Sequence, residues 1–156
     1  RGNYIDHYRD LAAREGVLED VIFAGFVPED EMPLYFNSAD LLILPSCDCA
    51  EGFGMVLIEA QACGTPVIGT DIGGIPYAVK DGMTGLIVPP GDAGELAAAV
   101  TTVLSDRDLY RRMARMGPER VRELFTWEKS AAAYDWIFRE AVLGEGIRRM
   151  KPEKGK

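Results

Sequence analysis

Four consecutive apolar residues, Leu41-Leu42-Ile43-Leu44, end abruptly at Pro45. A strand that is apolar on both of its alternating faces has no side to give to water, so this run predicts a central strand of a parallel sheet, covered above and below. Similar short runs stand at 21–24 (Val-Ile-Phe-Ala), 66–70 (Pro-Val-Ile-Gly-Thr) and 85–88 (Gly-Leu-Ile-Val), each followed within a few residues by glycine or proline. Helical patterns separate them. Residues 4–15 place Ile5, Tyr8, Leu11 and Ala12 on one face, and further helices are predicted over 28–38, 55–62, 76–80, 93–104, 108–116 and 127–143. Gly64 supplies a stop for the third of these and Thr126 an N-cap for the last, which turns Tyr134, Ile137 and Phe138 inward. Strand and helix in alternation predict an α/β, Rossmann-like parallel sheet with helices on both faces.

The chain has 156 residues, 47% of them hydrophobic, enough for one compact core and too few for two α/β lobes. The expected organisation is a single domain over 1–146 and a polar tail over 147–156 that frays. A formal net charge of -8 argues against nucleic acid as a partner, because a phosphate backbone demands a basic face. No stretch approaches the ~20 apolar residues of a membrane span, and the polar first ten residues do not resemble a signal peptide. Three cysteines make an odd count, which favours a reducing, cytoplasmic setting. Cys47 and Cys49 are two residues apart and His7 is the single histidine, so no zinc spacing forms and no metal is expected. The pattern assigns those two cysteines no role.

The chemistry concentrates in Glu51-Gly52-Phe53-Gly54, followed by a helical run from Met55 through Val56 to Glu59 and on to Gly64-Thr65-Pro66. The segment follows the apolar run 41–44, which puts it at the carboxyl edge of the sheet, where ligands bind in open parallel folds. Gly52 and Gly54 let backbone approach a ligand, and the helix starting near Met55 offers unpaired N–H groups suited to a diphosphate. Glu51 and Glu59 flank this seat. A fully helical segment would separate them by about 12 Å along its axis, beyond the ~5 to 9.5 Å of a glycosidase pair. That spacing suits two carboxylates that each bind a different polyol, as a nucleotide sugar would present. Each acid alone has a plainer reading, Glu51 as an exposed loop residue and Glu59 as a helix residue paired with a neighbour.

Together with Gly25-Phe26-Val27-Pro28, Leu44-Pro45-Ser46, Gly73-Gly74-Ile75-Pro76, Thr84-Gly85-Leu86, Val88-Pro89-Pro90-Gly91-Asp92 and Phe125-Thr126-Trp127, the Glu51–Glu59 segment resembles glycosyltransferase family 4 (group 1). These are retaining enzymes of GT-B fold, and the resemblance is to their carboxyl-terminal, donor-binding domain. It implies that Glu51 binds hydroxyls of the donor sugar as the catalytic-site acid, and that Glu59 binds the ribose. It further implies that backbone amides around Gly52, Phe53, Gly54, Met55 and Val56 hold the sugar and phosphates, and that Phe26 and Val27 meet the nucleobase, although a strand-end Phe-Val is more often core. Gly73-Gly74 either borders the ligand or is a tight turn. No metal or other cofactor is implied, since the nucleotide diphosphate sugar is the substrate.

Measured against that family, the first strand and its Arg/Lys loop are expected to be missing, with Arg1-Gly2 as their remnant. The amino-terminal acceptor-binding lobe is expected to be missing as well. Such a domain would transfer a hexose to a hydroxyl acceptor only as part of a larger enzyme, and any membrane association would come through the missing lobe. The last helix often crosses to the other lobe in these enzymes, which predicts a partly exposed apolar face on 127–143. Two alternatives stand beside this reading: a free-standing nucleotide-sugar-binding or assembly module, and a sugar-nucleotide epimerase-like domain. Nucleobase, donor sugar and acceptor are not legible.

Overall fold

A computed structural model describes residues 4–48 and 51–143. The expectations placed on Arg1-Gly2, on Cys49 and on the tail over 147–156 lie outside the described residues. The chain divides into two compact units, Arg1–Met32 and Pro33–Lys156.

In the first unit, helix α1 (Tyr4–Arg14) buries Ala12 and is followed by Gly16, whose φ of 72° favours glycine. A 3-10 turn follows at Leu18–Asp20. The expected strand at 21–24 does not form: these residues have no regular structure, and Ile22 is 91% exposed. A strand exists only through a partner's hydrogen bonds, and the described residues of its own unit include no other strand. The Arg9 guanidinium lies 5.3 Å from the Phe23 ring centroid, a cation–π contact within the unit.

Helix α2 (Met32–Ser38) starts later than the sequence predicts, because Pro28 opens only a turn, its carbonyl accepting the amides of Glu31 and Met32. The second unit then builds a three-stranded parallel sheet in the order β1 (Leu42–Leu44), β2 (Val67–Thr70), β3 (Gly85–Val88). Among the described strands of this unit, the expected central strand stands at one end of the order. Ile43 is exposed, whereas all four residues of β2 are buried between their two neighbours. Between the strands lie α3 (Met55–Ala62) and the single turn α4 (Ile75–Ala78), followed by α5 (Ala93–Ser105), α6 (Arg107–Leu124) and α7 (Trp127–Leu143).

The alternation of β2 assigns the helices to faces. A Cβ on Gly69 would meet Ile75 and Leu57, so α3 and α4 cover the face of Val67 and Gly69. Ile68, on the other face, packs with Val88 of β3, Ala99 and Val103 of α5 and Met113 of α6. The chain is thus an α/β sheet flanked by helices.

Helix α6 runs eight residues beyond its expected end at Met116 and passes through Pro118. Gly117 lies against α3, where a Cβ would stand 3.0 Å from the Gln61 carbonyl oxygen. An interior proline costs a helix roughly 3 kcal/mol, and α6 continues through it nonetheless, with Met113 buried in the Ile68 cluster and Gly117 against α3. Asp106 caps α6 by accepting the amides of Asp108 and Leu109 at 3.0 and 2.9 Å. On α7, Thr126 Oγ1 accepts the Lys129 amide as expected, but Tyr134, Ile137 and Phe138 are exposed rather than inward. Tyr134 and Phe138 stack on one another instead, with centroids 6.3 Å apart.

Candidate functional site

The loop between β1 and α3 stands at the carboxyl edge of the sheet, as its position after the apolar run implied. Its residues divide the work differently from the simple reading of glycine as room for a ligand. Gly54 is buried, has a φ of 75° and caps α3. A Cβ there would fall 3.0 Å from Leu57, 3.2 Å from Leu44 and 3.3 Å from Ile75, so glycine is required by the core beneath and by the backbone turn. Gly52 is the open one: it is exposed, and a Cβ would meet nothing within 4 Å.

Glu51 is half-buried, and its Oε1 accepts the Gly54 amide at 2.9 Å. This bond closes the loop on itself at the mouth of α3. The helix it leads into has no side-chain cap, whereas α5 and α6 are capped by Asp92 and Asp106. The first amides of α3 therefore keep their donor capacity at the positive end of the helix dipole. Met55 and Glu59 are exposed on α3 and Val56 is half-buried. Glu59 stands about 6 Å along the axis from Met55. Its negative charge adds to burial, the larger cause, in pushing the Cys63 thiol above its ordinary pKa.

Gly73-Gly74 forms the tight turn that one expectation allowed, closed by the Ile75 amide donating to the Ile72 carbonyl at 3.1 Å, and it has a further purpose that neither expectation contained. The Gly74 amide donates to the Gly52 carbonyl at 2.9 Å. A Cβ on Gly73 would sit 2.5 Å from the Glu51 carbonyl oxygen, and one on Gly74 would sit 2.6 Å from that of Gly52. The two glycines are the bed on which the Glu51 loop lies. A double glycine after a strand was the available signal, but the partner it accommodates was not visible in the chain.

Further residues support the loop. The Phe53 ring meets Phe125 edge-to-face at 5.9 Å, and the Arg120 guanidinium lies 5.3 Å from the centroid of Phe125. Arg120 also donates to the Tyr77 carbonyl at 2.7 Å. Fully buried Gln61 donates from Nε2 to the carbonyls of Leu57 and Ala78, tying α3 to the end of α4. Thr70 Oγ1 donates to the Ser46 carbonyl at 2.7 Å, holding the start of the loop to the end of β2. A cleft of about 180 Å³ opens beside it, bounded by Pro45, Cys47, Thr70, Val88, Pro89 and Leu96. Phe26 and Val27 belong to the first unit, where Phe26 is 90% exposed and Val27 half-buried. Among the described residues no helix is long and apolar enough to cross a membrane.

A parallel sheet flanked by helices, with a glycine-bedded acidic loop at its carboxyl edge, defines one lobe of a GT-B glycosyltransferase. Residues 1–120 match the family profile described as glycosyl transferases group 1, and the chain belongs to that family. It is 39% identical over 145 residues to a D-inositol 3-phosphate glycosyltransferase of Streptomyces bingchenggensis, a match covering 93% of this chain and 31% of the relative. Among solved structures, sucrose-phosphate synthase from Thermosynechococcus elongatus superposes with a TM-score of 0.82 at 35% identity, over 89% of this chain and 34% of that one. Anabaena HepE in complex with UDP-glucose superposes with a TM-score of 0.78 at 26% identity, over 86% and 36% respectively. The chain spans about a third of the length of the curated relatives it matches.

Proposed function

We propose that this chain is the donor-binding domain of a retaining hexosyltransferase that moves a hexose from a nucleotide diphosphate sugar to a hydroxyl acceptor. The observation that carries the reading is the mouth of α3. There a half-buried carboxylate, Glu51, is held by the Gly54 amide beside a helix end that no side chain caps. In this reading the uncapped amides of Met55 and Val56 take the diphosphate. Glu51 engages hydroxyls of the sugar and exposed Glu59 those of the ribose. The bond to Gly54 leaves acceptor capacity on the Glu51 carboxylate for sugar hydroxyls. The similar Anabaena protein holds UDP-glucose, which supports a nucleotide sugar as the ligand class.

The chemical contribution of such a site is electrostatic. Negative charge grows on the departing diphosphate, and helix amides fixed in advance stabilise it without reorganising. No metal or other cofactor is invoked. An amino-terminal lobe supplies the acceptor site and the other wall of the cleft, so the domain alone binds donor without turnover. Calorimetry of the chain with uridine, guanosine and adenosine diphosphate sugars tests the reading, with saturable binding of at least one expected. Absence of binding by all three would refute it. Transfer restored only when an amino-terminal lobe is supplied separates this domain from a free-standing binding module.

A further inference from the structure

We propose that Phe125, clamped by Arg120, is a positioning residue for the donor loop: it fixes the Phe53 ring and, through it, the carboxylate of Glu51. The inference rests on the donor-site reading above and names a part of the chain, the end of α6, that lies 72 positions beyond the loop it governs.

Phe53 sits between Glu51 and the helix cap Gly54, so its ring is the side chain through which the rest of the fold can grip this turn. The turn at Gly74 and the end of α6 at Phe125 both come close to it. On one side is Gly74, where a Cβ would fall 2.7 Å from Phe53 Cδ2. On the other is Phe125, edge-on at 5.9 Å with an interplanar angle of 73°. Phe125 is in turn held in place. It follows the last residue of α6, its amide donates to the Val121 carbonyl at 2.8 Å, and the Arg120 guanidinium covers its ring at 5.3 Å.

Arg120 is anchored as well. Its Nη2 donates to the carbonyl of Tyr77 in α4, the short helix whose first turn carries Gly74 as N-cap. Both walls of the Phe53 slot therefore refer to the same body, α4 braced by Arg120. Arg120 Nε is buried and makes no hydrogen bond among the described residues. A buried guanidinium nitrogen without a partner is costly. Its placement follows from the two contacts the rest of the group makes, the ring and the carbonyl. Loss of the Phe125 ring leaves Phe53 free to leave its slot, and the Glu51–Gly54 bond then no longer has a fixed turn to close.

The test is a ratio of affinities in this same chain. Calorimetry compares the intact sugar nucleotide bound by the wild type with its nucleoside diphosphate, for the wild type, Phe125→Ala and Phe125→Tyr. In Phe125→Ala, affinity for the sugar nucleotide should fall about threefold to tenfold, the range an edge-to-face aromatic pair is worth. The nucleoside diphosphate should bind as before, and Phe125→Tyr, which keeps the ring, should restore the ratio. A purely structural role lowers melting temperature without changing that ratio in the folded protein. An unchanged ratio, or equal loss of both ligands, overturns the proposal. Should Phe125→Ala not fold, Phe125→Leu and Arg120→Met decide the same question by the same ratio. Failure of the wild type to bind any sugar nucleotide would instead overturn the donor-site reading.

Discussion

The amide of Gly74 donates to the carbonyl of Gly52 across 2.9 Å, fastening the acidic loop to the turn that follows the central strand. The residues involved are 22 positions apart in the chain. Their contact explains why two glycines follow β2 and why the Glu51 loop needs no regular structure to hold its shape.

Gly74→Ala should displace the loop, because its new Cβ would lie 2.6 Å from one carbonyl oxygen and 2.7 Å from the Phe53 ring. Overpacking of this kind costs about 1 to 3 kcal/mol, readable by denaturant unfolding, and sugar-nucleotide affinity should fall with it. Gly52→Ala, which points into open space, should change stability by no more than about 0.5 kcal/mol. Equal effects of the two substitutions would contradict the bracing role of Gly74.

The two acids should separate by ligand. Glu59→Ala is expected to weaken nucleoside diphosphate binding by about 1 to 3 kcal/mol through lost charge-assisted hydrogen bonds. Glu51→Ala should spare the nucleoside diphosphate and reduce affinity only for the intact sugar nucleotide. Calorimetry with both ligands checks the division, and parallel losses would erase it.

The environment of Cys63 predicts a pH profile. Burial and the Glu59 carboxylate both raise its pKa, so the thiol stays protonated past its ordinary value of 9.0. The midpoint of the pH dependence of labelling by iodoacetamide, followed by mass spectrometry, should lie above that of an unstructured cysteine. Glu59→Gln should move the rise to lower pH, and an unmoved profile would place the carboxylate's influence elsewhere. The stability linkage has a definite sign. Below the unfolded thiol's pKa both states hold the proton and the contribution is complete. As pH rises through the folded value, the unfolded chain ionises first and stability declines.

Asp106 closes α5 and caps α6, accepting two amides of the latter. Asp106→Ala should cost about 1 kcal/mol, the usual value of an N-cap, seen as a lower unfolding midpoint with unchanged ligand affinity. A loss of donor binding comparable to that of Glu59→Ala would mean that α6 communicates with the loop beyond its end at Phe125.

Much of the architecture was legible because it rests on local chemistry. The apolar runs that became β1, β2 and β3, and the start of α7 after Thr126, follow from periodicity and punctuation over a few residues. The run at 21–24 has the same composition and yet forms no strand, because β structure is completed by a neighbour and not by the segment itself. The inward turn expected of Tyr134, Ile137 and Phe138 failed for a related reason. An apolar stripe states a preference for burial, and whether anything covers it is decided by other elements.

The acidic loop shows the same boundary at finer scale. Spacing alone located Glu51, Gly52, Phe53 and Gly54 between a strand and a helix. Chain order also gave the family to which they belong. Only the tertiary structure decided that Gly54 is a glycine for Leu57, Leu44 and Ile75, that Gly73 and Gly74 yield to the loop's carbonyls, and that Phe125 reaches Phe53. Local propensity is written within a few residues of chain, whereas the space a side chain may occupy is set by backbone that returns from far along it.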